Sequence, residues 1–151
     1  MSGILDGINI LDLSRILAGP YTAQMLSDLG ANVTKIEAPW GDDTRGWGPP
    51  FTTDFDGERV AAYFLCCNRG KSIIQMNLKE EKQRLIEMVA NADVVVENFK
   101  PGTLERLIGT IPSDTIHVAI SNIDHVAISY IDPVAISYID PVAISYIDPV
   151  A

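Results

Sequence analysis

The run Asp93–Glu97, DVVVE, sets three consecutive valines between two acids. A strand with one wet face alternates apolar and polar residues. Three β-branched residues in a row instead fit a strand covered on both faces, as in a parallel sheet flanked by helices. The surrounding segments agree. Gly7–Leu13 (GINILDL), Ala31–Glu37 (ANVTKIE), Ser72–Leu78 (SIIQMNL) and Ile116–Ser121 (IHVAIS) read as further strands. Between them, Pro20–Leu29 predicts a helix with proline in its first turn, Gly30 at its end, and Met25, Leu26 and Leu29 as its apolar stripe. Val60–Cys67 and Lys79–Asn91 predict two more helices, the second turning Leu85, Ile86, Met88 and Val89 to the core, and Pro101–Leu107 opens a short one. Ala38–Gly57, rich in Gly, Pro, Asp and Trp, reads as a long irregular loop. Strands separated by helices predict an α/β domain with a mostly parallel sheet, which binds ligands at the carboxyl ends of its strands.

The alternation stops near residue 121, where an eight-residue repeat takes over. His117–Asp124 reads HVAISNID, His125–Asp132 reads HVAISYID, and Pro133–Asp140 and Pro141–Asp148 both read PVAISYID. An even period returns each side chain to the same face of a strand, yet Pro133, Pro141 and Pro149 remove ladder donors. The plain reading is a tandem expansion of eight codons, seeded by a genuine strand IHVAIS. The expected organisation is therefore a domain over residues 1–121 and a repeat tail over 122–151 that is not itself a domain. Within the tail VAISYI recurs without a charge, a pattern that favours edge-to-edge strand pairing.

Composition narrows the function. The 151 residues suit one domain. They carry a formal charge of −9, of which the tail contributes −4 from four aspartates. That balance argues against a nucleic-acid partner, which needs basic surface to displace counterions. No apolar stretch is long enough to span a bilayer, and the N-terminus lacks the basic start of a signal peptide, so no membrane partner is expected. The two cysteines, Cys66 and Cys67, are adjacent and read as reduced thiols of a cytoplasmic protein, with the mitochondrion as the alternative. A metal site is not expected.

Few residues announce chemistry by themselves. The first strand–helix turn, Ser14–Pro20, has one glycine and neither a dinucleotide fingerprint nor a P-loop. Asn68-Arg69-Gly70-Lys71 is a basic stop between apolar segments that suits a phosphate, or else is a solvated turn. Glu97-Asn98-Phe99 ends a strand where α/β proteins place ligand contacts, or else the asparagine caps a turn. His117 and His125 lie within the repeat and read as incidental. No Ser/His/Asp or metal-ligand spacing stands out.

Taken in order, LDGINILDLSRILAGPYTAQMLSDLGANVTKIEAP, GDDTRGWGPPF, AYFLCCNRGKSI, ADVVVENFKPGTLERL and IHVAIS resemble the N-terminal region of the class III CoA-transferases, the formyl-CoA and carnitine-CoA transferase group. The resemblance covers residues 5–121. It implies a Rossmann-like domain that takes coenzyme A as substrate, with an acyl-CoA and a carboxylic acid as partners and an interlocked homodimer as the assembly. By position, Ile16, Leu17 and Ala18 would line the coenzyme A site. Asn68, Arg69 and Lys71 would lie near its phosphates, and Asn98, Phe99 and Arg106 would hold its pantetheine–adenine end. Asp42, Asp43 and Arg45 would order the long loop or a dimer contact.

The chain departs from the family after Ser121. The family follows its fifth strand with a glycine-rich turn and an aspartate nucleophile that is acylated in turn, a covalent route for acyl exchange. Here Asn122-Ile123-Asp124-His125 and the octads stand instead. Asp124, Asp132, Asp140 and Asp148 follow the repeat, so no catalytic residue is assigned. Two readings follow. One is a CoA-transferase by descent, with α-methylacyl-CoA racemase as the related alternative. The other is a truncated, non-catalytic chain that binds coenzyme A weakly.

Overall fold

The computed structural model describes residues 3–54, 56–120 and the strand residues 126–129. Six strands form the main sheet: β1 (Asn9–Asp12), β2 (Asn32–Glu37), β5 (Ser72–Gln75), β6 (Val94–Glu97), β7 (Ile116–Ile120) and β8 (Val126–Ser129). Their order is β5-β2-β1-β6-β7-β8, parallel throughout except for the antiparallel pair β7–β8. A separate antiparallel hairpin joins β3 (Phe51–Thr53) to β4 (Arg59–Ala61). The helices are α1 (Ala18–Asp28), α2 (Ala62–Asn68), α3 (Lys82–Ala90) and α4 (Thr103–Ile108), with a 3-10 turn at Asp43–Gly46. The expected α/β architecture is therefore present, and β6 carries Val95 and Val96 fully buried at its centre.

Two apolar layers sandwich the sheet. On one side Leu11, Leu13, Ile36, Met76 and Val95 meet Leu85 and Val89 of α3 and Leu104 of α4. On the other, Ile10, Val33 and Val96 meet Ala23 of α1. Alternate residues of β1 and β2 supply the two layers, as the period-2 geometry of strands requires.

Several boundaries differ from the sequence reading. Helix α1 begins two residues early, at Ala18, and Pro20 still falls in its first turn, where a missing N–H costs no helical bond. Its buried face is Gly19, Pro20, Ala23 and Gln24 rather than Met25 and Leu29, which are about half exposed at 53% and 48%. Close packing explains the inversion. A Cβ on Gly19 would sit 2.2 Å from Ser14 Cβ, so the helix approaches the strand-end turn through its smallest residues. Leu17, Tyr21, Met25 and Leu29, four residues apart, run along the outer face instead. The loop 38–57 is partly ordered, containing the 3-10 turn and β3, whose three residues are too few to show a period. Val60 and Ala61 belong to β4, so α2 starts only at Ala62. The repeat enters the structure as β8 alone. Val134–Ile139, Val142–Ile147, His125 and the four repeat aspartates lie outside the described residues.

Candidate functional site

Strand order reverses direction at β1: the chain runs outward through β2 and β5 on one side, then returns to β6 and β7 on the other. The loops leaving β1 and β6 therefore lead to helices on opposite faces of the sheet, and the point between those strand ends, the crevice of such folds, is where they take ligands. The segments that follow these two strands are Ser14–Ala18 and Asn98–Gly102.

Asn98 ties these segments together. Arg15 N–H donates to Asn98 Oδ1 at 2.9 Å, and Asn98 Nδ2 donates to the Arg15 carbonyl at 2.7 Å. The next residue, Ile16, has φ +73°, a left-handed conformation that a β-branched residue adopts only under constraint. Leu17 then caps α1 without a side-chain hydrogen bond. The result is a strained turn that aims the start of α1 at the crevice. Ile16, Leu17, Ala18, Asn98 and Phe99 are thus brought together. Phe99 N–H donates to Glu97 Oε2 at 2.5 Å, and its ring packs on the core. Arg106 is exposed one turn into α4, with Nη2 donating to Thr103 Oγ1 at 2.9 Å.

The basic turn lies elsewhere. Arg69 is paired with Asp28 at the far end of α1 and donates to the Cys66 carbonyl at 2.8 Å. That pairing turns its guanidinium toward the C-terminal end of α1. The Lys71 side chain is buried, its ammonium donating to Asp12 Oδ2 at 2.8 Å, the Pro20 carbonyl at 2.8 Å and Asn68 Oδ1 at 3.1 Å. All three of its protons are used. Burial lowers the Lys71 pKa, and Asp12 offsets this only in part. Asn68 also donates to the Phe64 carbonyl at 2.9 Å. Asn68 and Lys71 therefore brace the layer beneath α1.

That layer holds residues that the sequence reading missed. Asp12 accepts from both the N–H and the hydroxyl of Ser14, and buried Lys35 donates to the Ser14 carbonyl at 2.8 Å. Lys35 also pairs with Asp42 at 3.2 Å. Burial opposes ionisation of Asp42, but the Thr44 N–H and hydroxyl and the Lys35 ammonium outweigh it, leaving the pKa below the ordinary value. Arg45 grips Glu37 through two bonds, 2.8 and 3.0 Å, and lies 4.0 Å over the Phe64 ring. Asp43 pairs with Arg15. Of the two roles read for Asp42, Asp43 and Arg45, ordering of the long loop is the one seen. His117 is buried, its Nε2 3.2 Å from Glu97 Oε1. Cys67 is buried beside Cys66, and burial first, then that neighbour, push its thiol up to about 11.

A cavity of about 430 Å³ is at the other end of the sheet, between α3 and the starts of β1 and β2, lined by Asn9, Asn32, Arg84 and Asn91 among others. Among the described residues no group of three His, Cys, Asp or Glu side chains is placed to hold a metal, and no helix is long and apolar enough to cross a membrane.

The family model of CoA-transferase family III matches residues 5–112. The chain belongs to the CoA-transferase family III. Both segments at the crevice fall inside the matched region. The chain is 47% identical over 106 residues to the succinyl-CoA:mesaconate CoA-transferase of Haloarcula marismortui, covering 69% of this chain and 26% of that protein. It is also 47% identical over 106 residues to the human succinyl-CoA:glutarate CoA-transferase, covering 68% and 23%. Among solved structures, a CAIB/BAIF family protein from Brucella suis aligns with TM-score 0.71 and 45% identity, covering 80% of this chain and 33% of that one. The chain thus spans about a quarter of the length of the curated CoA-transferase family III relatives it matches.

Proposed function

We propose that this chain carries the coenzyme-A-recognising part of a CoA-transferase, which moves coenzyme A between an acyl-CoA and a carboxylic acid. The observation that supports this most is the Asn98–Arg15 clasp at the β1/β6 boundary, which sets the turn before Ile16, Leu17 and Ala18 beside Asn98 and Phe99. Backbone groups of the strained turn are available to a ligand there, and Arg106 supplies an exposed cation for a phosphate. In this reading Lys71 and Asn68 position α1 and do not touch the ligand, while Arg69 stands apart from it. The homodimer belongs to the same reading of the family.

The 151 residues alone are expected to show no turnover, because the octads stand where the family has its glycine-rich turn and nucleophile. Calorimetry with coenzyme A should find weak binding that Arg106→Ala reduces and Arg69→Ala leaves unchanged. Equal binding by all three chains would remove Arg106 from the site. Turnover from succinyl-CoA to glutarate or mesaconate, dependent on any of Asp124, Asp132, Asp140 or Asp148, would overturn the expectation of an inactive chain.

A further inference from the structure

Among the described residues, the largest fully buried side chain is that of a cation, Lys35. It stands on β2, two residues after Val33, and so on the face that α1 covers. A buried ion pair is weak support for stability, since apolar residues of the same volume fill such places as well. What the ammonium does is join two segments. Its Nζ donates to the Ser14 carbonyl at 2.8 Å and is 3.2 Å from Asp42 Oδ2.

At one end the contact fixes a peptide. The Ser14 carbonyl and the Arg15 N–H belong to one planar unit, and that N–H donates to Asn98 Oδ1 at 2.9 Å. The unit is thus held at its oxygen by Lys35 and at its nitrogen by Asn98, one residue before the left-handed Ile16. At the other end Asp42 divides its two oxygens. Oδ1 accepts from the Thr44 N–H at 3.0 Å and the Thr44 hydroxyl at 2.7 Å, capping the 3-10 turn Asp43–Gly46, while Oδ2 faces Lys35. The Lys71 side chain also takes a main-chain carbonyl, that of Pro20, but its other partners are Asp12 and Asn68, outside that loop. Arg15 and Asp43 form a second bridge between the same segments, yet both side chains are nearly half exposed, where an ion pair contributes little.

We propose that Lys35 is a positioning residue of the ligand turn, coupling the conformation of residues 14–18 to the 3-10 turn Asp43–Gly46 through Asp42. It touches no ligand and acts through the Ser14–Arg15 peptide. The proposal rests on the coenzyme A reading only for what the turn binds; the link itself is Lys35 with Ser14 and Asp42. A ligand that fixes residues 14–18 therefore also steadies the Asp43–Gly46 segment, and loosening that segment weakens the ligand by the same factor.

Amide hydrogen exchange of the full chain reads the link at Ser14 and Arg15, whose N–H groups bond to Asp12 and Asn98 and not to Asp42. Asp42→Asn keeps an acceptor for Thr44 but removes the charge facing Lys35. It should speed exchange at Ser14 and Arg15 about ten- to a hundredfold, the loss of one contact to a charged group, while Val95 and Val96 in β6 keep their rates. In a Lys35→Met background the same substitution should add nothing, because the link is already gone. No effect of Asp42→Asn at Ser14 and Arg15, an equal effect in both backgrounds, or a uniform rise across the sheet overturns the proposal. The unsubstituted chain gives a second readout that needs no variant to fold. Added coenzyme A should slow exchange at Thr44 and Arg45 as well as at Arg15, and protection of Arg15 alone contradicts the coupling. Protection at none of the three counts against the coenzyme A reading, and the effect of Asp42→Asn then decides the link by itself.

Discussion

The carboxamide of Asn98 closes on both backbone groups of Arg15, accepting from its N–H at 2.9 Å and donating to its carbonyl at 2.7 Å. The two residues are 83 positions apart in sequence, so this single side chain fixes the separation of the loops leaving β1 and β6. It also bears on the left-handed Ile16 next door. Asn98→Ala should cost about 1–3 kcal/mol in denaturant unfolding, from two bonds at about 0.5–1.5 kcal/mol each. Asn98→Asp should not recover the loss, since a carboxylate cannot donate to the Arg15 carbonyl.

The approach of α1 to the first turn gives a test by paired substitution. A Cβ at Gly19 would meet Ser14 Cβ and Oγ at 2.2 and 2.3 Å, but Ser14 Cα only at 3.7 Å. Gly19→Ala should therefore destabilise by about 1–3 kcal/mol, the usual cost of overpacking. Combining it with Ser14→Gly should recover part of that loss. Additive effects in thermal melts of the two single variants and the double would show that the clash is relieved by other means.

Lys71 and Asp12 form a buried pair in which neither side chain is exposed. Replacing Lys71 with methionine leaves the Asp12 carboxylate buried with its hydroxyl and N–H donors from Ser14 but no counter-charge. A loss of about 3–5 kcal/mol is expected. The double variant Lys71→Met/Asp12→Asn should be more stable than Lys71→Met alone, because the stranded charge is gone. Equal stability of the two would mean that charge burial is not what the lysine relieves.

Asp42 sets part of the acid limit of stability. Its folded pKa lies below the ordinary value of 3.8, as the Thr44 donors and Lys35 outweigh its burial. A carboxyl depressed on folding stabilises above its unfolded pKa, and that contribution is lost as pH falls through the folded value. Stability should therefore decline below pH 3.8 more steeply in the parent chain than in Asp42→Asn. Parallel acid limbs in the two unfolding profiles would place the titration on other carboxyls.

What the sequence discloses depends on how local the cause is. The valines of β6 are buried because of their own chemistry, and the strands on either side follow the same pattern, so the sheet is legible. The burial of α1 is not. Its inward face is set by how closely the helix must approach Ser14, and small residues win over Met25 and Leu29. The buried lysines are hidden for a similar reason. Lys35 and Lys71 look like surface charges until Asp42 and Asp12 are brought to them, Asp12 from 59 positions away. Of the candidate site residues, Asn98 is bonded to Arg15 beside Ile16, whereas Arg69 is paired at the C-terminal end of α1. Its pairing with Asp28 depends on how α1 and α2 pack, which no local pattern announces.

The most direct test of the coenzyme A reading is to titrate the labelled full chain with coenzyme A and follow its backbone amide resonances. The account predicts that the largest shifts cluster at Ile16, Leu17, Ala18, Asn98 and Phe99, with Asn9, Asn32, Arg84 and Asn91 around the 430 Å³ cavity unmoved. Shifts concentrated at that cavity, or no saturable change at the crevice, would contradict it.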